Sequence, residues 1–222
     1  MDSDTMKTRN AHQETLDEFR ERNAGVLVGT QMIAKGLDFP NVTTVGVVNA
    51  DVSLHLPDFR SRERTFQLLA QVAGRTGRGA AGGRVVFQTF LPDDPSIKAA
   101  AGHNYEMFAE TELKMRRRLH YPPYGRMMRL VCRGPKLEPI QRYMTELCEE
   151  LRRLCQEEGE EAQVLGPAAA PLAKIRRRHR YHAMIKCPSS GAIHRVLEGA
   201  EGLLKGPSGA KVIVDVDPLS ML

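Results

Sequence analysis

The feature that most constrains this chain is a glycine-rich turn with two arginines, which directly follows an apolar helical pattern. Residues 65–73 have helical spacing, and one side of the pattern is formed by Phe66, Leu69, Ala70 and Ala73. Gly74 interrupts this pattern, and Arg75 and Arg78 follow, each directly after a glycine. Because glycine lets the backbone approach a ligand and guanidinium groups pair with phosphate oxygens, the turn indicates a site for a polyanion. A glycine-rich turn with solvated arginines is the alternative interpretation.

Two short β patterns, separated by a polar loop, precede this helix. Residues 26–28 predict a buried strand and residues 42–48 predict another. This order is typical of an α/β domain with a parallel sheet, whose ligands bind at the loops that follow the carboxyl ends of the strands. In the loop, Thr30 and Gln31 offer a hydroxyl and an amide that suit a nucleic-acid phosphate. Asp38 could accept from a ribose hydroxyl or orient a neighbouring arginine.

Two segments of the chain resemble known helicase motifs. Residues 29–38 read Gly-Thr-Gln-Met-Ile-Ala-Lys-Gly-Leu-Asp, and residues 71–78 read Gln-Val-Ala-Gly-Arg-Thr-Gly-Arg. They resemble motifs V and VI of superfamily-2 helicases, and the first is closer still to the PriA replication-restart helicases, the family of primosomal protein N′. Further matches lie at Tyr121-Pro122-Pro123-Tyr124 and at residues 164–167 and 215–218. The resemblance therefore extends over nearly the whole chain.

The resemblance implies that the chain is the C-terminal portion of an ATP-dependent 3′-to-5′ DNA helicase that acts in replication restart. It would comprise the second RecA-like lobe and the C-terminal domain, left by a truncation or a fragmentary gene prediction. By motif match, Arg78 would be the arginine finger, and Arg75 would contact phosphate or sense the nucleotide. Gln71 would position the attacking water or the γ-phosphate.

The same match implies how the lobe meets its nucleotide and its DNA. Gly36 and Asp38 would lie at the nucleotide, with Asp38 near the ribose. Thr30 and Gln31 would grip the DNA backbone. Closing and opening of two lobes would then move DNA by alternating grip.

The chain lacks the sequence signatures of a first helicase lobe. It has no Gly-x-x-x-x-Gly-Lys-Ser/Thr loop and no Asp-Glu-x-His motif. The resemblance implies that ATP and Mg²⁺ would be bound mainly by a lobe outside this chain. Its four cysteines show no Cys-x-x-Cys spacing, so we expect no metal site here. The resemblance implies zinc only in a region upstream. One alternative is a stand-alone fragment that binds DNA or single-stranded-DNA-binding protein without ATPase activity. Another superfamily-2 helicase with a fused RNA-binding domain is a third interpretation.

Two basic clusters lie in the second half of the chain. The first spans residues 114–129 and the second spans residues 174–186. Their basic side chains could contact the phosphate backbone, and their tyrosines could stack on unpaired bases. From the second cluster we expect four DNA-binding residues: Lys174, Arg178, Arg180 and Tyr181. A solvated helix face and a disordered basic loop are the respective alternatives.

The order of the elements, together with the resemblance, predicts an α/β fold. We assign residues 1–95 to a RecA-like parallel-sheet helicase lobe that is incomplete at its N-terminus. Residues 96–125 form a helical connector that ends in Tyr-Pro-Pro-Tyr, and residues 126–222 form a small α+β split-βαβ domain that would bind DNA forks and partner proteins. Its strongest pattern is an amphipathic helix with apolar positions at Leu137, Ile140, Met144, Leu147, Leu151 and Leu154.

The charge and the composition are compatible with these partners. The net charge is +5 and the sequence pI is about 9.1, which favours a polyanionic partner. The resemblance implies forked and single-stranded DNA, single-stranded-DNA-binding protein and primosome loader proteins as partners. The sequence shows no signal peptide and no apolar run of membrane length, so we expect a cytoplasmic protein without a membrane partner. The resemblance implies a bacterial, nucleoid-associated protein.

Overall fold

The computed structural model describes most of the chain, namely residues 9–21, 25–30, 42–74, 83–157 and 161–221. These residues divide into two compact units. Unit 2 contains residues 56–61 and the described residues from Ala109 onward, and unit 1 contains the others. The expected domain boundaries after residues 95 and 125 stay a prediction.

Unit 1 is an α/β unit with a short parallel sheet. Its elements are α1 (Arg9–Glu21), β1 (Thr44–Val47), α2 (Ser61–Ala73), β2 (Arg84–Phe87), α3 (Pro95–Ala101) and α4 (Tyr105–Arg118). The first residue of α2 is assigned to unit 2, and α4 continues into unit 2. Strands β1 and β2 pair in parallel, with Thr44 opposite Arg84 and Val47 opposite Phe87. The predicted parallel sheet is therefore confirmed.

The apolar side of α2 supplies much of the core of unit 1. Leu69 is fully buried and Phe66 is 7% exposed. The ring of Phe66 stacks on that of Phe108, with 4.5 Å between the ring centroids. Burial of a side chain of this size stabilises a fold by about 2 kcal/mol. The helical pattern predicted for residues 65–73 is thus confirmed.

The predicted buried strand at residues 26–28 is wrong. These residues form no strand, and the side chains of Val26 and Val28 are 87% and 73% exposed. A parallel strand is held by hydrogen bonds to a neighbouring strand. In the described part of unit 1 the ladder joins β1 only to β2, so an apolar β-branched pattern alone does not create a strand here.

Unit 2 has the predicted split-βαβ order. Its elements after α4 are β3 (Arg126–Gly134), α5 (Leu137–Glu157), β4 (Gln163–Ile175), β5 (Arg178–Cys187), α6 (Ser190–Ala200), a 3₁₀ turn (Glu201–Leu203) and β6 (Lys211–Val216). The sheet has the order β4-β5-β3-β6, and every neighbouring pair is antiparallel. The first strand of the unit is therefore central in the sheet.

Helices α5 and α6 pack on one face of this sheet. The core side chains of β3 on that face are Met128, Leu130 and Cys132, all fully buried. The amphipathic helix predicted from residue 137 is confirmed as α5, which buries Ile140 and Met144. Because strand side chains alternate between faces, the intervening residues of β3 face away from both helices.

The second basic cluster is ordered as a β-hairpin. Strand β4 runs from Gln163 to Ile175 and pairs with β5, which begins at Arg178. The pairing is irregular between Ala169 and Lys174. Because β-structure depends on the partner strand more than on local propensity, the alanine-rich middle of β4 gives only a weak sequence signal.

Residues 56–61 belong to unit 2 although unit 1 flanks them in the sequence. The Asp58 carboxylate accepts a hydrogen bond from the backbone N–H of Met221 at 3.0 Å. The ring of Phe59 stacks on that of Tyr121, with 5.4 Å between the centroids. This short segment therefore contributes both a carboxylate and an aromatic ring to unit 2.

Candidate nucleic-acid interface

Most of the helicase-motif residues lie outside the described residues. This applies to five of them: Gln31, Gly36, Asp38, Arg75 and Arg78. Thr30 and Gln71 are described, and both are exposed, with Gln71 in the last turn of α2. No hydrogen bond among the described residues joins these two side chains. The roles assigned to this set stay predictions.

The β4–β5 hairpin ends in a two-residue turn that consists of Arg176 and Arg177. Ile175 pairs with Arg178, and the turn residues have φ angles of 49° and 64°. Two consecutive residues with positive φ are the requirement of a type I′ turn, which normally selects asparagine and glycine. Arginine has a Cβ that disfavours this conformation. The turn therefore holds two guanidinium groups at a position where local conformation does not favour arginine.

The hairpin tip, defined as Lys174, Arg176, Arg177 and Arg178, is a concentrated positive surface. All four side chains are exposed. Within the described residues, none of them forms an ion pair with a carboxylate. Four like charges on such a short segment repel one another unless an anion neutralises them.

Arg180 and Tyr181 lie on opposite faces of the sheet. The Arg180 guanidinium donates to the carbonyl of Leu172 at 3.2 Å. Burial lowers the pKa of Arg180, and so do the charges of Arg129 and Arg133. Tyr181 packs partly against the helix-covered core, and its hydroxyl accepts from the Gln141 amide at 3.0 Å. The expected base contact of Tyr181 stays a prediction, whereas in this structure its ring contributes to packing.

The first basic cluster is largely engaged in contacts within unit 2. Arg116 is buried and forms an ion pair with Glu112, with 2.8 Å between Nε and Oε1. The guanidinium of Arg117 lies over the ring of Tyr124, at 4.6 Å from its centroid. These residues therefore differ from both earlier interpretations, since they are neither a simple solvated helix face nor a free phosphate-binding row.

Comparison with known proteins places the two halves of the chain in one family. A family model described as the helicase conserved C-terminal domain matches residues 2–80, and one described as the primosomal protein N C-terminal domain matches residues 117–219. The replication restart protein PriA of Synechocystis sp. is 41% identical over 223 residues, which are 99% of this chain and 26% of that protein. This chain belongs to the PriA family. The PriA of Bacillus subtilis is 39% identical over 226 residues, which are 100% of this chain and 28% of that protein.

The family match covers both sets of predicted residues in this PriA-family chain. The motif residues from Thr30 to Arg78 lie within the helicase match, and the hairpin tip lies within the C-terminal-domain match. The chain spans about a quarter of the length of these two PriA relatives. A designed protein named Foldit4 aligns with 42% of the chain at 18% identity and a TM-score of 0.32, which is too low to support a conclusion.

Two further observations concern metal binding and membrane-spanning helices. The described residues contain no group of three or more His, Cys, Asp or Glu side chains placed to hold a metal ion. None of the helices in the described ranges has the length and apolar character that a bilayer crossing requires. Arg176 and Arg177 belong to the predicted second basic cluster, but the sequence did not predict that they form a turn, because an Arg-Arg pair is not a recognised turn signal.

Proposed function

We propose that this chain is the C-terminal part of an ATP-dependent 3′-to-5′ DNA helicase of replication restart, and that unit 2 contributes a DNA-binding surface. Family membership supports the first statement, since the relatives are named replication restart protein PriA. The hairpin tip supports the second. In this proposal the tip contacts DNA phosphates without reading base sequence.

The observation that carries the DNA-binding proposal is the turn of Arg176 and Arg177 with positive φ. The turn disfavours arginine by about 1 kcal/mol for each residue, and the neighbouring charges add repulsion. Phosphate contacts release condensed counterions and so favour binding at this place. A surface with this combination of charge and conformation is more readily explained by an anionic partner than by stability of the fold.

The proposed motor roles concern unit 1. Arg78 would act as the arginine finger, Arg75 would contact phosphate, and Gln71 would position water or the γ-phosphate. Asp38 and Gly36 would lie at the nucleotide, and Thr30 and Gln31 would hold the DNA backbone. ATP supplies the free energy for DNA movement, and ATP and Mg²⁺ would be bound mainly by a first lobe.

Partners and location complete the proposal. Forked and single-stranded DNA are the proposed substrates, and single-stranded-DNA-binding protein and primosome loader proteins are the proposed protein partners. Lys174, Arg178 and Arg180 are proposed DNA contacts together with the turn. Zinc is expected only in a region upstream of these residues, and the location is the bacterial cytoplasm at the nucleoid.

Binding of labelled forked DNA to the chain, measured by fluorescence anisotropy over a range of salt, tests the hairpin. The variant Arg176→Asn/Arg177→Gly removes two charges but keeps a turn sequence suited to type I′. It should weaken binding and reduce the slope of log affinity against log salt by roughly 0.9 for each phosphate that is no longer neutralised. Arg142→Gln/Lys205→Gln removes two exposed charges elsewhere in unit 2 and serves as the control. Equal affinity and slope in all three proteins would contradict the proposal.

The motor proposal is tested in a relative of full length. Substitution by alanine at the position equivalent to Arg78 in the Bacillus subtilis protein should abolish DNA-stimulated ATP hydrolysis, because an arginine finger is worth about 10³ to 10⁵ in rate. DNA affinity should be nearly unchanged. The present chain alone should bind DNA without hydrolysing ATP, and that outcome alone would equally fit the alternative of a stand-alone DNA- or partner-binding fragment.

A further inference from the structure

The sheet face of unit 2 that points away from α5 and α6 carries a row of three cations. In the strand register, Arg133 of β3 is directly opposite Lys211 of β6 on one side and Arg180 of β5 on the other. Neighbouring strands are about 4.8 Å apart, so the row spans roughly 10 Å. Lys211 and Arg133 are exposed, and Arg180 is half-buried.

Few carboxylates in the sheet balance the positive charges of the row. The four strands contain eight lysines and arginines, three in β3, one in β4, three in β5 and one in β6, but only one carboxylate, that of Asp215. Asp215 forms an ion pair with Arg129, with 3.3 Å between Nη2 and Oδ2. Like charges directly opposite each other destabilise a sheet, so the row weakens unit 2 unless an anion joins it.

The positive charges around the row affect the pKa of His182. Burial lowers the pKa of His182, and the charges of Arg129 and Arg180 lower it further. His182 lies on the same face of β5 as Arg180, and its Nδ1 atom is buried with no hydrogen-bond partner among the described residues. The charged groups that face it from the neighbouring strands are Arg129, Arg133, Lys211 and Asp215, with Arg180 and Lys186 on its own strand.

The row is continuous with the hairpin tip. Arg178, Arg180 and His182 occupy alternate positions of β5, so their side chains leave the strand on the same face. Consecutive members of this set are separated by roughly 6.6 Å along the strand. A strand of nucleic acid bound at the tip could therefore continue along β5 from Arg178 to Arg180, and β5 contains no carboxylate.

We propose that Lys211, Arg133 and Arg180 bind a backbone phosphate of a nucleic-acid strand at the end of the sheet face that these three residues share. The inference rests on the proposed function, because it extends the DNA path from the tip to the sheet. The two guanidinium groups offer paired N–H donors to the phosphate oxygens, and Lys211 adds a point charge. His182 borders the site, and a bound phosphate favours its protonated form.

The test uses the full chain of 222 residues and a short thymidylate oligonucleotide. Three double variants are compared with the parent: Arg133→Gln/Lys211→Gln in the row, Arg176→Asn/Arg177→Gly at the tip, and Arg142→Gln/Lys205→Gln as the charge-matched control. The row variant should weaken binding roughly tenfold and reduce the salt slope by roughly 0.7 for each phosphate that is no longer neutralised. The control should bind like the parent.

A second measurement reports on the row directly. The imidazole resonances of His182, assigned from their loss in His182→Asn, are followed through a pH titration by NMR. The oligonucleotide should raise the pKa of His182 in the parent and in the tip variant, and should raise it much less in the row variant. A change confined to global stability would not give this pattern, which separates a binding role from a structural one.

The outcomes separate the row from the tip. If the tip variant loses affinity while the row variant binds like the parent, the tip proposal stands and the row proposal is overturned. If the row variant loses affinity and the tip variant does not, the tip proposal fails and the row alone is supported. If an acidic peptide displaces the oligonucleotide from the row and binds it more tightly, the row serves a protein partner and the proposal is overturned.

Discussion

The Asp51 carboxylate accepts a hydrogen bond from the Thr89 hydroxyl at 2.5 Å and thereby joins the segments that follow β1 and β2. The same carboxylate accepts from the backbone N–H of Phe90 at 2.7 Å, and Asp51 is only 1% exposed. In parallel α/β sheets, the segments after the carboxyl ends of the strands carry ligands. The Asp51–Thr89 hydrogen bond therefore holds together the two segments that follow the carboxyl ends of the paired strands in unit 1.

Asp51→Asn should lower the stability of the chain in a pH-dependent way. The hydrogen bonds from Thr89 and Phe90 lower the pKa of Asp51 below its usual value. Because the folded pKa is depressed, this stabilisation is complete above the unfolded pKa of about 3.9 and is lost as the pH falls through the folded value. Urea midpoints of the parent and the variant should therefore converge in acid. Glu110→Gln, at an exposed position of α4, is the control, and a difference that stays constant down to the lowest pH would contradict the assignment.

Glu112→Ala should destabilise the chain by about 3 kcal/mol, because the Arg116 guanidinium would remain buried without its carboxylate. The side chains of Arg116 and Glu112 are 9% and 6% exposed. Urea unfolding measures the effect. Glu150→Ala removes a carboxylate from the exposed pair with Arg153 and should change the midpoint very little. Equal effects of the two substitutions would show that burial of the ion pair is unimportant.

Arg176→Asn/Arg177→Gly should raise the free energy of unfolding by roughly 1 kcal/mol while it weakens DNA binding. Glycine and asparagine adopt positive φ more readily than arginine, and two repelling charges are removed. Arg177→Ala is the matched comparison, since it removes a charge but keeps a Cβ at a φ of 64°. It should weaken DNA binding without the same gain in stability. A destabilised Asn-Gly variant would contradict the type I′ geometry.

The four cysteines should react with a maleimide reagent only after unfolding. Cys132, Cys148, Cys155 and Cys187 are all buried. Burial raises the pKa of Cys132 to about 11 and also raises that of Cys148, so little reactive thiolate is present near neutral pH. Mass spectrometry should detect no labelled thiols in the native chain and four in urea. Rapid labelling of the native chain would contradict the described core.

Local pattern was sufficient for the helices that carry a strong apolar stripe. Helix α5 could be predicted from the spacing of Ile140, Met144 and Leu147. Their 3.6-residue period places all three side chains on the helix face that packs on the sheet. The presence of a parallel sheet in unit 1 followed from the order of elements. The helix could be predicted because its apolar pattern lies within one short segment. The parallel sheet could be predicted because it depends on the order of the elements along the chain.

Long-range pairing explains what the sequence did not reveal. The row of Lys211, Arg133 and Arg180 exists only through the register of three strands, which no local pattern contains. Residues 26–28 had the composition of a strand, but they do not form one. Tyr181 was assigned to DNA because of its basic neighbours, although alternation along β5 directs it toward the core.

Because residues 56–61 belong to unit 2, the two units alternate along the sequence. Excision of residues 109–222 as an independent protein would remove Phe59 from Tyr121 and Asp58 from Met221. One aromatic face and one backbone N–H would then meet solvent, and the excised piece should be less stable than the same residues in the whole chain. Any engineering of unit 2 therefore has to transplant two separate stretches of sequence together.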